Sequence, residues 1–152
     1  MSTHVNNTVN NASSIAATAG RVLIATIFLL SGISKLSNPA GTIGYIASAG
    51  LPFPELAYVA AVSVEVVLAT ALLVGFQTRS VAAVIALFSL ATAFGFHNNL
   101  ADQNQFIHFF KNVAIAGGLL QVVAFGAGAY SVDAWRARNQ GQRIASRVAT
   151  AS

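Results

Sequence analysis

Four stretches of this chain, each about 20 residues long, carry almost no charge. They run over 15–36, 56–76, 80–96 and 113–132. In a helix, about 20 residues reach across the ~30 Å hydrocarbon core of a bilayer. Hydrophobic residues make up 55% of the chain and charged residues 8%, where a soluble domain carries about 25% charged residues. So few charges cannot coat a water-facing surface. Lipid removes the need, because most of the outer surface then faces hydrocarbon. No stretch alternates with the period of a strand. The expected fold is all-α, a four-transmembrane-helix bundle over residues 15–135.

The connections add detail. Residues 1–14 are polar and rich in Asn, Ser and Thr, and they are expected to be disordered. Asn38-Pro39 is a helix-start signal, with Asn as cap and Pro in the first turn. Gly50 and Pro52 supply the stop. A short interfacial helix is therefore expected at 39–49, between spans 1 and 2. Gly75 to Ser80 reads as a tight turn, and Asn98 to Gln105 as a polar loop. Gly126-Ala127-Gly128 lacks the strand and helix that flank a phosphate loop, so it reads as the flexible or close-packed end of the fourth span.

The charges set orientation. The sequence has eight Lys and Arg against four Asp and Glu. Half of the basic residues lie in the tail at 136–152, so the bias points to membrane topology and anionic lipid rather than to nucleic acid. Arg21, Arg79, Arg136, Arg138, Arg143 and Arg147 fall on one side, and Lys35 and Lys111 on the other. The positive-inside rule then puts both termini in the cytoplasm. Arg21 and Lys35 sit about 21 Å apart along the first span, so each is expected to snorkel to its own interface. The sequence has no cysteine. That excludes thiol catalysis, disulfides and thiolate metal sites built by this chain, so electrons for any redox work must travel through a cofactor or a partner.

Glu65 is the residue that the pattern does not explain. It lies about 14 Å from the end of its span, and an acid at mid-membrane costs about 3 kcal/mol on insertion scales. It must face the bundle interior, either paired or protonated. One reading is a buried ion pair that only fixes helix packing. The other is a carboxylate that handles a proton or touches a ligand. Lys35 and Lys111 are the candidate partners. Lys35 shares a helix face with Phe28 and with Ser31 or Gly32. His97 ends the third span, and His108 to Asn112 precede the fourth. The histidine and carboxylate spacing fits no closed zinc pattern, and no metal site is assigned.

The order of these motifs resembles the DoxX family of bacterial membrane proteins. The resemblance rests on Arg21 leading into Ser31-Gly32-Ile33-Ser34-Lys35-Leu36, then Gly50-Leu51-Pro52, Glu65 and Gly75-Phe76-Gln77-Thr78-Arg79. It continues through His97, Phe110-Lys111-Asn112, Gly117-Gly118, Gly126-Ala127-Gly128 and Ser131-Val132-Asp133, and covers about residues 20–134. It implies a multi-pass protein of the bacterial inner membrane. The family takes its name from a subunit of a thiosulfate:quinone oxidoreductase, and its relatives are linked to redox complexes. It has no agreed catalytic residue to carry over, so the site assignment rests on the residues themselves.

The expected function is a membrane subunit of a redox complex, an oxidoreductase assembly, with a quinone or small-solute pocket in the outer half of the bundle. Lys35, His97, Lys111 and Asn112 would bind the ligand, and Glu65 would handle a proton. A soluble redox partner and a homo-oligomer are the expected associates. The competing readings are a non-enzymatic anchor or scaffold for a soluble protein, and a small transporter.

Overall fold

The computed structural model describes residues 2–151, with side chains described for 11–147, 149 and 150. It is all-helical: among these residues there is no strand. Helix α1 spans Ser2–Ser37, α2 Pro39–Ser48, α3 Pro54–Val74, α4 Thr78–Phe96, α5 Gln103–Phe125 and α6 Val132–Ala151. Within them, Asn11–Ser37, Pro54–Val74, Thr78–Phe96 and Gln103–Phe125 are long and apolar enough to cross a membrane. The bundle therefore has two ends. One holds α6 and the start of α1, and the other holds α2.

Several boundaries differ from the expectation. The polar segment at 2–14 is helical and continuous with the first span in α1. Adding residues to an existing helix avoids the cost of nucleation, so weak formers such as Asn and Thr can follow the span. Met1 and Ser152 fall outside the described residues. The fourth span runs over Gln103–Phe125 and not 113–132. Its first turns carry Gln105, which the polar-loop reading took in, and His108, Lys111 and Asn112, which were expected just ahead of the span. The basic tail is itself helical, as α6.

The interfacial helix is where the sequence placed it. Asn38 Oδ1 accepts from the Gly41 amide at 3.0 Å, and Pro39 occupies the first turn. Ile46 is the buried residue of α2. The bundle core is built largely of small residues: Ala25, Ala69, Ala82, Ala86 and Ala116 pack with Phe28, Leu72, Ile85 and Leu119. Without a hydrophobic drive between helices in lipid, close approach through small side chains supplies the packing. Leu23, Leu30, Leu56, Leu87 and Phe125 are exposed, as residues facing lipid should be.

Arg21 does not snorkel. Its residue is 1% exposed. Its guanidinium donates to the carbonyls of Leu72 at 3.1 Å and Leu73 at 3.3 Å, and to Tyr130 O at 2.8 Å. It thereby adds a partner to the last carbonyls of α3, among them Leu72 O, which also accepts from the Gly75 amide at 3.1 Å. Gly75 ends α3 at φ +73°, and a Cβ there would lie 2.4 Å from Arg21 Nη1. Only glycine meets both requirements.

Asp133 does the complementary work at the start of α4. It accepts from the amides of Gln77 at 2.9 Å and Thr78 at 2.8 Å, and from the Thr78 hydroxyl at 2.7 Å. Gln77 has φ +45°, a strained conformation for a residue with a side chain, and the carboxylate fixes it. The Asp133 amide returns a bond to Gly75 O at 2.9 Å, and Arg136 lies 4.7 Å over the Phe76 ring. The α3–α4 turn and the first turn of α6 thus form one interlocked unit.

Partial burial pushes the Asp133 carboxyl up, but the bonds from Thr78 and Gln77 and the charge of Arg136 outweigh it. The net value lies below the ordinary one. A depressed carboxyl stabilises the fold fully above its unfolded pKa of about 3.9, and that contribution disappears as pH falls through the lower folded value. Asp133→Ala should cost about 1–2 kcal/mol, the range for a lost helix cap. Asp133→Asn should flatten the acid limb of the thermal-unfolding profile in detergent. A variant with the wild-type acid limb would show that Asp133 contributes nothing there.

Candidate functional site

The end of the bundle that holds α2 forms a partly open cavity of about 480 Å³. Ile27 and Phe28 of α1, Ile46 of α2, Phe88 of α4 and Ile115 of α5 form its apolar walls. Lys35, Glu65, His97, Lys111 and Asn112, the residues singled out from the sequence, all line this one space. They come from four different elements, so only the folded bundle brings them together.

Glu65 is 5% exposed and sits in a π-helical turn, Ser63–Leu68, in the middle of α3. The Ala69 amide bonds Val64 O, five residues back. Such a turn holds one extra residue and shifts the helix register, so the residues before and after it face different directions. The sequence carried no visible signal for it. Gly32 of α1 packs against this turn. A Cβ there would lie 2.7 Å from Val66 Cγ2 and 3.2 Å from Glu65 Cβ. Glycine at this position lets α1 come close enough for its next turn to reach the carboxylate.

Lys35 is the partner. Its Nζ lies 2.9 Å from Glu65 Oε1 as a hydrogen bond and 2.8 Å from Oε2 as an ion-pair contact. Oε2 is buried and has no other hydrogen bond. Ser31, one turn earlier on α1, joins both groups: it donates to Oε1 at 3.2 Å and accepts from Nζ at 2.8 Å. Among the described residues this is the one salt bridge. Ser31 was only a face neighbour in the sequence reading. Its i, i+4 spacing from Lys35 is the signal that could have placed it in the site.

Lys111 goes elsewhere. Its Nζ lies 2.8 Å from His108 Nδ1, one turn back on α5. The His108 ring stacks on His97 at 5.0 Å between centroids. His97 Nδ1 lies 2.9 Å from Gln105 Oε1, a contact hidden from the sequence because Gln105 was read as loop. Asn112 Nδ2 donates to the His108 carbonyl at 3.1 Å, and Asn112 lines the cavity. Asp102 caps α5 through the Gln105 amide and takes no part in the histidine pair. The cavity therefore has two polar poles, an internally neutralised one on α1 and α3 and an uncompensated basic one on α5.

The family profile for DoxX matches residues 16–98. The chain belongs to the DoxX family. It is similar to inner membrane protein YqjF of Escherichia coli (strain K12), at 37% identity over 78% of this chain and 90% of the relative. It is also similar to inner membrane protein YphA of the same organism, at 38% identity over 74% of this chain and 84% of that one. No solved structure matches. Four membrane-length helices and inner-membrane relatives make this DoxX protein a multi-pass inner-membrane protein. The profile ends just after His97, so His108, Lys111 and Asn112 lie beyond the segment it matches.

A buried ion pair costs desolvation at both groups, and removing one partner leaves the other uncompensated. Glu65→Gln and Lys35→Met should each lower the unfolding temperature of the DoxX bundle in detergent. The double variant should recover part of the loss, with coupling above about 0.5 kcal/mol, the limit for independent sites. Glu65→Gln with Lys111→Met should be additive within that limit. Coupling to Lys111 in place of Lys35 would overturn the assignment.

Proposed function

We propose that this DoxX protein is the membrane subunit of a redox complex and that its cavity holds the head of a quinone-class ligand. The cavity carries the reading: an apolar slot of about 480 Å³ with Lys35, Glu65, His97, Lys111 and Asn112 on its walls. Ligand sites of this kind are mostly apolar, with a few placed polar groups that fix orientation. Such a ligand, when bound, would supply electron and proton acceptance. Lys111 and Lys35 would direct hydrogen bonds at its oxygens, and Glu65 would hold or release a proton. The sequence has no cysteine, so a soluble redox partner would deliver or remove the electrons. Extraction in mild detergent followed by mass spectrometry tests this directly. Bound quinone that is lost in the Glu65→Gln and Lys111→Met variants supports it. A co-purifying soluble protein with no small molecule, and no effect of either variant, favours a scaffold instead.

We further propose that both termini lie in the cytoplasm. The support is the distribution of the free basic residues. Arg21 is consumed inside the bundle, but Arg79, Arg136, Arg138, Arg143 and Arg147 stay at the end that holds the termini. At the other end Lys35 is paired with Glu65, and Lys111 is left. Reporter fusions at Gln77 and after Ser152 should read as cytoplasmic, and one at Asn104 as external. Exchange of the two sides would reverse the orientation and put the cavity in the cytoplasmic half.

A further inference from the structure

We propose that the cavity selects a ligand whose head carries a negative charge, received by the Lys111–His108 pair. This inference rests on the reading of the cavity as a ligand site.

The charges lining the cavity do not balance. Two lysines line it against one carboxylate. Glu65 is committed to Lys35, with Ser31 completing the cluster. No described carboxylate lies within ion-pair distance of Lys111, and the other acids work elsewhere: Asp102 caps α5 and Asp133 caps α4, while Glu55 is in the first turn of α3. One ammonium, itself exposed, therefore remains without a carboxylate at the wall of an apolar slot.

Hydrogen-bond chemistry points the same way. An ammonium can only donate, so His108 Nδ1, 2.8 Å from Lys111 Nζ, must be the acceptor. The neutral His108 ring then carries its hydrogen on Nε2, which is a second donor. Lys111 has two further N–H groups. This pole is rich in donors and is suited to an oxygen that accepts more than one bond, as an anionic oxygen does. The shared chemistry of the ligand is an apolar body with a monoanionic oxygen head. Two sources offer it: an acidic quinone-class or carboxylate molecule, and the headgroup of an anionic lipid.

The test uses the full chain in nanodiscs of phosphatidylcholine and two probes of one shape. One is an alkylated hydroxynaphthoquinone, anionic at neutral pH, and the other is its neutral O-methyl ether. Binding to protein-free nanodiscs is subtracted. The anionic probe should bind about tenfold more tightly, the worth of one charge-assisted hydrogen bond. Lys111→Met should bring the ratio of the two affinities close to one by weakening the anionic probe more than the ether, and Lys111→Arg should retain the preference. Equal binding of the probes to the wild type, or a preference that survives Lys111→Met, overturns the inference and leaves the cavity reading intact. Failure of both probes to bind overturns the cavity reading and the inference with it. Replacing part of the phosphatidylcholine with phosphatidylglycerol separates the sources. Competition with the anionic probe identifies the lipid headgroup, and undiminished binding identifies the free ligand.

Discussion

A charge placed in hydrocarbon must find its match inside the protein, because water is not there to supply it. This bundle is organised around two such matches. At one end, the buried guanidinium of Arg21 answers the open carbonyls of α3 and the carbonyl of Tyr130. At the other, Lys35 answers Glu65. Both cations belong to α1. The first helix therefore sets the height and rotation of α3 at two levels, and α4 and α5 pack against that frame through alanine-rich surfaces.

The two ends differ in how completely they are satisfied. Where the termini lie, the α3–α4 turn is short, and its free amides and carbonyls are met by Asp133, Arg21 and the α6 backbone. Arg21 Nε is the polar atom left without a partner there. The α2 end carries more: a cavity opens between its helices, one lysine lacks a carboxylate, and two histidine rings stack at its wall. Rigidity at one end and unspent polar groups at the other are what a ligand site on a stable scaffold requires.

Much of this was legible in the sequence. The apolar stretches, the Asn38-Pro39 helix start and the isolation of Glu65 each follow from a local physical rule. Lys35 and Lys111 could both reach toward Glu65, and sequence spacing could not decide between them. The decision depends on the π-turn and on Gly32, features of tertiary packing. Arg21 was misread because snorkelling assumes that water is the best partner on offer, whereas the end of α3 was closer. The start of α5 was misread because a polar cluster looks like a loop when it in fact lines a cavity. In each case the error fell where a polar residue does work inside the bundle, which composition alone cannot distinguish from exposure.

The Lys35–Glu65 pair also limits how the cavity can be used. A ligand oxygen that draws Lys35 away would leave a carboxylate alone at a site only 5% exposed. A lone charge there is costly, and Ser31 offers a single hydroxyl in compensation. Engagement of Lys35 therefore carries a penalty, because it breaks the pair that compensates both charges. Engagement of Lys111 carries no such condition, because that lysine gives up only its bond to a neutral histidine. In the proposed site, the α5 pole would set which ligand enters, and the α1–α3 pole would resist any ligand that competes for Lys35.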